Sequence, residues 1–536
     1  MDKCLLFNTF FRDQTGVKLL EEFFTGNEFI IGKIQIDTAK EPLLFNVEAP
    51  LSYPLSNSPL SIRFVCTNVD GFLHLNWDGS VCIHPEKNHD PAEKLINEFS
   101  LLKRWIQDYY IEEKTDSHYE YLITPFADGA KFLFTDISAN FKKGDQGLFE
   151  YSQLTEPIFH GTMLVQHPLI IQKIGEHECC WGTFYKTLPK FKSFWFFIET
   201  APVIYRRKII TNWEDFEKYL SPTQLKTIHE LHGKTGQNHI FDYPILIGYK
   251  IPTTNGNEIH WQMIKIPSNQ IPTYGEKAEK KWVGKCQDQQ IKWVCTINSS
   301  YHRFFGRGGL CTKLADSKIL ILGCGAIGSS LAEILTRGGL QDLTLMDFDF
   351  VEAGNICRSA FEFNQIGYPK TFALEQKIRM ISPFINIRSI QNHIDKRIDK
   401  PNKTNTLKFL NQFDYIFDCT TDMELCYVLD ILLPTSKIFN FSISNKAKEF
   451  VCVTGRGNIT ETKAHLFPVD EDKPLFYEGT GCWDPTFEAS YFDINCYLNL
   501  AIKNINDKIK KKLNATTFVI KTEMNDEVLN FELIDY

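Results

Sequence analysis

Residues 319–370 read ILILGCGAIGSSLAEILTRGGLQDLTLMDFDFVEAGNICRSAFEFNQIGYPK. An apolar run, Ile319 to Leu322, meets Gly323-x-Gly325-x-x-Gly328. A helical pattern follows, then a second apolar run ending at Asp347. This is the first half of a βαβ unit of the phosphate-cradling kind. Gly323 allows a tight turn, Gly325 lets backbone N–H groups approach an anion, and Gly328 lets helix and strand pack closely. The helix N-terminus then faces the anion. Asp347 follows Gly328 by 19 residues, where an acid can bind ribose hydroxyls.

Alone, that pattern fits any dinucleotide-binding domain, including an NAD oxidoreductase. The next residues favour another chemistry. Asp347-Phe-Asp349 is followed by Asn355, Arg358 and, after Gly367-Tyr-Pro, Lys370. Hydride transfer needs no Asn, Arg and Lys here, whereas activating a carboxylate with ATP does. Cationic side chains offset the triphosphate charge while pyrophosphate leaves. Further on, FDYIFDCTTDMEL (413–425) is an apolar strand ending in Asp418 and Asp422. Carboxylates at a strand's C-terminal end suit Mg²⁺ on phosphates.

The set resembles the adenylation domain of the ThiF/MoeB/ubiquitin-activating superfamily, over roughly residues 300 to 536. That family carries GxGxxG, DxD, N-x-x-R, a Lys after Gly-x-Pro, and a strand ending in an Asp-Cys-Thr-Asp-like turn. The resemblance implies ATP and Mg²⁺ as cofactors. It implies that Asp347 binds ribose, that Asp349 of the same DxD element also binds the nucleotide, and that Asn355, Arg358 and Lys370 hold phosphates. Asp422, more than Asp418, would hold the metal. An extra residue, Thr421, separates this turn from the family pattern and leaves the choice between the two acids open. Relatives often carry two C-x-x-C pairs around zinc. This chain has 15 Cys and no C-x-x-C pair, so no zinc site is expected.

The chain has 536 residues, room for about three domains at ~150 residues each. Hydrophobic content of 43% with 23% charged residues is that of a globular protein, and 43 Phe argue for packed cores. A net charge of −8 leaves no electrostatic footprint for nucleic acid. The one basic run, KNINDKIKKK (503–512), reads as the solvated face of a helix. The opening MDKCLLFNTFFRDQTG has too short an apolar stretch for a signal peptide, and no run of ~18 uncharged apolar residues follows. A cytoplasmic chain with no membrane contact and reduced, mostly buried thiols is expected.

The expected fold class is α/β, in three blocks. Residues 1–120 read as a smaller α+β domain, opening with a helix over Gly16 to Phe24 and closing with one over Pro91 to Tyr110. Residues 121–298 hold aromatic strand-like runs, FWFFIET and YPILIGYKI, around the helical stretch NWEDFEKYL and SPTQLKTIHELH. They read as a linking or dimerisation domain in which His160, His167, His177, His229 and His232 lack metal spacing. Residues 299–536 form the Rossmann-type adenylation domain.

Two cysteines stand apart. In the first block, Tyr53-Pro54 and Pro59 punctuate a turn between strands, followed by His74-Leu75-Asn76, Trp77-Asp78-Gly79 and Ser80-Val81-Cys82-Ile83. Asp-Gly is a strong turn signal, so Cys82 falls just past a tight turn. Asn76, six residues upstream, can offer its amide to an oxyanion at a Cys82 thioester. The arrangement resembles the ubiquitin-conjugating fold, which has Tyr-Pro, His-Pro-Asn and Gly-x-Ile/Val-Cys. Two departures are visible: Leu75 replaces Pro, and the Asn-to-Cys spacing is two residues shorter. Cys82 is the candidate nucleophile, with Asn76 and His74 beside it.

The second is Cys482, in EGTGCWDPTFEASYFDINC (478–496), ahead of a helix expected near Phe487. A thiol near a helix N-terminus gains thiolate character and can attack an acyl-adenylate. The segment resembles the cysteine loop of bacterial activating domains from antiphage operons. Cys496 in that helix, and Cys324 in the glycine loop, read as packing residues. Upstream of the glycines, Arg303 and Arg307 are candidates for the Arg that superfamily dimers send into the partner's ATP site, which implies a homodimer.

A conjugating-type domain, a linker and an activating-type domain in this order resemble the E1–E2 fusions of CBASS antiphage systems. The resemblance implies adenylation of a partner protein's C-terminus, in that family a cGAS/DncV-like nucleotidyltransferase. A relay through Cys482 and Cys82 to a target amine would follow. The alternatives are conjugation of a small ubiquitin-like modifier, a sulfur-carrier adenylyltransferase, and a docking protein without catalysis.

Overall fold

The computed structural model describes residues 2–536 apart from 56–61, 70–71, 77, 84–86, 115–121, 124–130, 138, 155–157, 161–162, 166–167, 205–207, 235–242, 254–255, 267–271, 279–280, 398, 434–436, 445–446, 455–458, 467–488 and 526. Two compact units emerge. One comprises 1–179 and 190–298, the other 180–189 and 299–536.

The first unit opens with helix α1 (Lys3–Arg12), whose N-cap Asp2 accepts from the Cys4 and Leu5 N–H groups. Strands β1 (Val17–Thr25), β2 (Phe29–Ile36), β3 (Leu43–Pro50) and β4 (Arg63–Cys66) form an antiparallel meander in that order. The helix expected over Gly16 to Phe24 is therefore a strand. Asp2 starts the helix earlier, Gly16 turns the chain at φ +76°, and pairing of Val17–Thr25 with β2 overrides the helix-like pattern of KLLEEFF. Helix α2 (Pro91–Trp105), capped by Asp90, runs on into a π-helical turn, Ile106–Ile111. Phe7, Phe11, Phe45, Phe64 and Phe99 bury themselves between α1, α2 and the sheet.

The rest of this unit is an eight-stranded sheet. Its strand Gln146–Gln153 pairs with Phe191–Thr200 on one edge and with Leu169–Ile174 on the other, so the sheet closes on itself. FWFFIET and YPILIGYKI are strands, paired in parallel as Phe191–Thr200 and Tyr243–Thr253. Helices Trp213–Glu217 and Pro222–Lys234 carry Phe216, Leu225 and Ile228 into a core with Ile245, Ile247 and Trp293. Among the described residues no group of three or more His, Cys, Asp or Glu side chains is arranged to hold a metal ion.

The second unit is a doubly wound sheet. Strands lie in the order Asn386–Ile390, Asp342–Met346, Lys318–Leu322, Tyr415–Asp418 and Ile438–Ser444, all parallel. Antiparallel strands Glu449–Thr454, Phe518–Asn525 and Val528–Asp535 extend it. The period-two alternation of the first strand assigns its two faces. Ile319 and Ile321 join Leu331 and Leu335 of helix Ala326–Arg337, Ile378 of helix Lys370–Ile381 and Leu498 of helix Tyr491–Lys510. Leu320 and Leu322 join Leu425 and Leu429 of helix Met423–Leu432. Both faces are covered at the centre, which is why Lys318–Leu322 is an almost continuous apolar run, whereas the edge strand Asn386–Ile390 is mixed and partly exposed.

The decapeptide 180–189 belongs to this unit. Gly182 N–H donates to Pro383 O at 2.7 Å, Tyr185 OH donates to Arg379 O at 2.7 Å, and Trp181 stacks on Phe384. No helix among the described residues is long and apolar enough to cross a membrane.

Leu331 is fully buried between the glycine-loop helix and the sheet. Leu331→Ala removes buried contacts the fold cannot fully close over, at a cost of about 3 kcal/mol. Denaturant unfolding followed by circular dichroism should show the corresponding drop in midpoint, with an unchanged slope.

Candidate active sites

Lys318–Leu322 and Tyr415–Asp418 are neighbours, yet their chains continue to opposite sides of the sheet order. Such a switch point opens a crevice at the strands' C-terminal ends. Here it is a cavity of about 380 Å³. Gly323 and Gly325 line it, with Asp347, Phe348, Asp349, Lys370, Asn392, His393, Lys396, Thr420 and Asp422.

The glycine loop is tightly specified. Gly323 has φ +81°, and a Cβ there would sit 3.1 Å from the Cys419 carbonyl. A Cβ on Gly328 would sit 1.8 Å from the Gly323 oxygen. Gly325, by contrast, faces open space, and no side chain caps the helix it begins. The uncapped N–H groups and the helix dipole thus present positive potential to the cavity.

The acids differ in their commitments. Asp347 accepts from Cys324 N–H at 2.6 Å and from Asp349 N–H at 2.9 Å. It ties the glycine loop to the second strand, and each oxygen keeps further acceptor capacity. Asp349 accepts from the largely buried Lys370 ammonium at 2.5 Å. Burial pushes the Asp349 carboxyl up, but the Lys370 hydrogen bond, the Phe350 N–H and the Lys370 charge outweigh it, leaving it below the usual range.

Asp418 is fully buried, with both oxygens engaged: Thr420 N–H and Oγ1–H on one, Asn440 and Cys426 on the other. Asp422 lies beyond the turn made by Thr421, whose φ is +60°. Its Oδ1 caps helix Met423–Leu432, while its Oδ2 meets Lys396 Nζ at 2.6 Å. Burial raises its carboxyl and the Lys396 hydrogen bond more than reverses that. Of the two acids, only Asp422 lines the cavity.

Other residues singled out in the sequence lie elsewhere in this unit. Asn355 and Arg358 sit on the 3₁₀ turn Ala353–Arg358, where Asn355 Oδ1 accepts from Glu352 N–H at 3.0 Å, and neither lines the cavity. Arg303 and Arg307 are exposed, on helix Tyr301–Phe305 and the turn after it. Cys482 lies outside the described residues, as do Pro59 and Trp77. The helix that follows Cys482 starts at Tyr491, later than expected, with a Ser490–Asp493 capping box. Cys324 is fully buried, whereas Cys496 is exposed: its apolar neighbours Tyr497 and Leu498 face the sheet, and position 496 falls on the outer side of the helix. Lys396, Asn392 and His393 come from the segment after strand Asn386–Ile390. They match no motif, and only the rule that parallel strands end at one common edge points to them.

In the first unit, residues 74–82 form a tight hairpin. Gly79 N–H donates to Asn76 O at 2.9 Å, Asn76 N–H to Ser80 O at 2.8 Å, and Cys82 N–H to His74 O at 2.7 Å. The hairpin is stitched to the sheet through Val81 N–H to Phe64 O at 2.9 Å. Cys82 is exposed just past the turn. His74 has φ +56° and packs against Tyr109 at 4.5 Å between ring centroids. The Asn76 amide donates to Ser80 Oγ at 3.0 Å, and Ser80 Oγ–H donates to Asp78, which pairs with Arg63. Tyr53 is fully buried, its OH donating to Glu98 at 3.1 Å. Burial and the Glu98 charge push the phenol pKa far up.

The second unit now has its match. Residues 298–446 match the ThiF family. The ThiF match covers the glycine loop, the DxD element, Lys370 and the turn at Asp422. The ATP-dependent ubiquitin transferase-like protein Cap2 of Enterobacter hormaechei is 26% identical over 289 residues, 49% of this chain and 46% of that protein. That relative and the ThiF match together support the resemblance to CBASS E1–E2 fusions. The molybdopterin-synthase adenylyltransferase of Haemophilus influenzae is 31% identical over 119 residues, 22% of this chain and 46% of that protein. The ubiquitin-like modifier-activating enzyme 5 of Dictyostelium discoideum is 40% identical over 97 residues, 16% and 26% of the two chains. The chain thus spans about half the length, or less, of these curated relatives. Among solved structures, E. coli MccB with ATP aligns with a TM-score of 0.31 at 17% identity, covering 42% of this chain and 64% of that one.

Gly328→Ala would force apart the loop and helix that build this cavity. ATP affinity, read by isothermal titration calorimetry, should fall at least tenfold, about 1.4 kcal/mol. Gly325→Ala, placed in open space, should leave the melting temperature unchanged.

Proposed function

We propose that the chain adenylates the C-terminal carboxylate of a protein partner and passes the acyl group through two thiols to a target amine. The observation that carries this reading is the cavity in which Gly323, Gly325, Asp347, Lys370 and Asp422 meet. An uncapped helix N-terminus and two lysines there complement a triphosphate. Asp347 is positioned beside the glycine loop as a ribose acceptor. Asp422 fits a Mg²⁺ site because one oxygen faces the cavity, whereas Asp418 has none to spare. A divalent ion held there would offset phosphate charge.

In the reaction, a carboxylate oxygen of the partner attacks the α-phosphorus of ATP, and the bond to pyrophosphate breaks. The Cys482 thiolate attacks the acyl carbon and AMP leaves. The Cys82 thiolate takes the acyl group by thioester exchange. A target amine then attacks, Cys82 leaves as thiolate, and the ammonium of the adduct loses a proton to give the amide. The exposed Cys82 on a short hairpin suits an acceptor that must meet a second protein. The Asn76 amide, held through Ser80 and Asp78, is a donor for the oxyanion of that step, and His74 holds the Cys82 backbone in register.

The partner we favour is a cGAS/DncV-like nucleotidyltransferase of an antiphage operon, because of the similarity to Cap2. Conjugation of a small ubiquitin-like modifier uses the same chemistry. Asn355 and Arg358 are assigned to the phosphates, and Arg303 or Arg307 to the ATP site of a second copy in a homodimer. The proposed domain limits are 1–120, 121–298 and 299–536, and the proposed compartment is the cytoplasm.

ATP–pyrophosphate exchange with the partner protein tests the first step. Cys482→Ala should leave exchange intact and abolish the thioester seen by mass spectrometry; undiminished thioester would refute its role. Cys82→Ala should retain the first thioester and lose the amide product. Full conjugation without Cys82 would refute the relay.

A further inference from the structure

Lys396 reaches into the ThiF cavity from the segment that follows strand Asn386–Ile390. Its Nζ lies 2.6 Å from Asp422 Oδ2 and 2.8 Å from Glu424 Oε2. The Asp422 oxygen it holds is the one that does not cap helix Met423–Leu432. It is therefore the oxygen a metal ion would need. Mg²⁺ binds carboxylate oxygens at about 2.0–2.1 Å. An ammonium and a divalent cation on one carboxylate oxygen would repel each other at close range. That repulsion weakens each cation's hold while the other is present.

The two partners of Lys396 are unequal. Asp422 lines the cavity and is one-third exposed, whereas Glu424 stands outside it, 81% exposed. The tie to Asp422 is the drier and stronger one, and the tie to Glu424 is solvent-screened. On the far wall, Lys370 is bound to Asp349 in a similar way, at 2.5 Å. The cavity thus stores its cations on carboxylates, and a triphosphate arriving with a metal supplies both a new cation for Asp422 and new acceptors for a lysine.

We propose that Lys396 is the resident counter-ion of the metal carboxylate: it holds Asp422 while no metal is bound, and moves its ammonium to the nucleotide phosphates when the metal takes Asp422. Lys396 is a nucleotide-contacting residue in this scheme, and the exchange couples metal arrival to phosphate binding. The inference rests on the reading of this cavity as an ATP site with Asp422 on the metal.

The test uses the full-length chain and three titrations: Mn²⁺ alone, ATP with excess chelator, and ATP with Mg²⁺. Lys396→Met removes the charge and keeps the apolar stem. Mn²⁺ affinity should tighten about threefold to tenfold, since no ammonium competes. ATP affinity with Mg²⁺ present should weaken by a similar factor while ATP affinity in chelator stays unchanged, a combination a merely structural lysine would not produce alongside tighter Mn²⁺ binding. Asp422→Asn should abolish the Mn²⁺ signal and marks the site as the right one. Lys396→Gln repeats the measurement should the Met variant fail to fold. Mn²⁺ affinity equal to wild type in either neutral variant overturns the exchange. Failure of the wild-type chain itself to bind Mg²⁺ and ATP overturns the underlying reading as well, so the two failures are distinct.

Discussion

The site depends on a close approach of two backbones. Gly323 and the Cys419–Thr420 segment pass each other with no room for a side chain: a Cβ on Gly323 would touch Cys419 and Thr420 at 3.1 Å. That contact lets two parallel strands end side by side while their helices diverge to opposite faces. The glycine loop rests on Asp347 from one side, through Cys324 N–H at 2.6 Å. On the other, Cys419 N–H donates to Leu322 O at 2.8 Å. The acids and lysines of the cavity are then presented from strand ends that the sheet holds in register. The alternation of Ile319 and Ile321 against Leu320 and Leu322 fixes that register by burying both faces.

How much of this was legible in the sequence follows from the range of the forces involved. The glycine loop, its strand and its helix were readable, because turn chemistry and apolar periodicity act within about twenty residues. The hairpin before Cys82 was readable for the same reason: Asp78-Gly79 specifies a turn locally, and Gly79 adopts φ +84°. Val17–Thr25 was misread because KLLEEFF satisfies a helical pattern, while its actual state is set by pairing with Phe29–Ile36. Lys396 was invisible because its partner, Asp422, is brought to it only by the sheet. Cys496 was misjudged because apolar neighbours in sequence lie on another side of a helix, 100° away per residue.

The two units manage their polar groups in different ways. In the second unit, charges are paired inside the cavity, Lys370 with Asp349 and Lys396 with Asp422. The Lys396–Asp422 pair is about one-third exposed, whereas Lys370 is largely buried beside a half-exposed Asp349. In the first unit, the Asn76–Ser80–Asp78–Arg63 chain is rigid and local. It fixes one amide beside the hairpin rather than providing a mobile charge. This contrast suits the two chemistries proposed: phosphate charge must be accommodated as it arrives and leaves, whereas an oxyanion hole works best when its donor does not move.

A thiol relay also requires that the wrong thiols stay silent. Cys419 lines the cavity, and Cys324 lies buried inside the glycine loop beside it. Burial, with Asp347 beside Cys324 and Asp418 beside Cys419, pushes both thiols well above their ordinary pKa. Cys426 is similarly pushed up to about 12 by burial and by Asp418. At neutral pH these groups carry almost no thiolate, and the thiol form is a poor nucleophile. Under the proposed chemistry these three thiols are poor acceptors for an acyl group. In the proposed relay the acyl group is carried by other thiols, and Cys82, exposed on its hairpin, is unlike these buried cysteines.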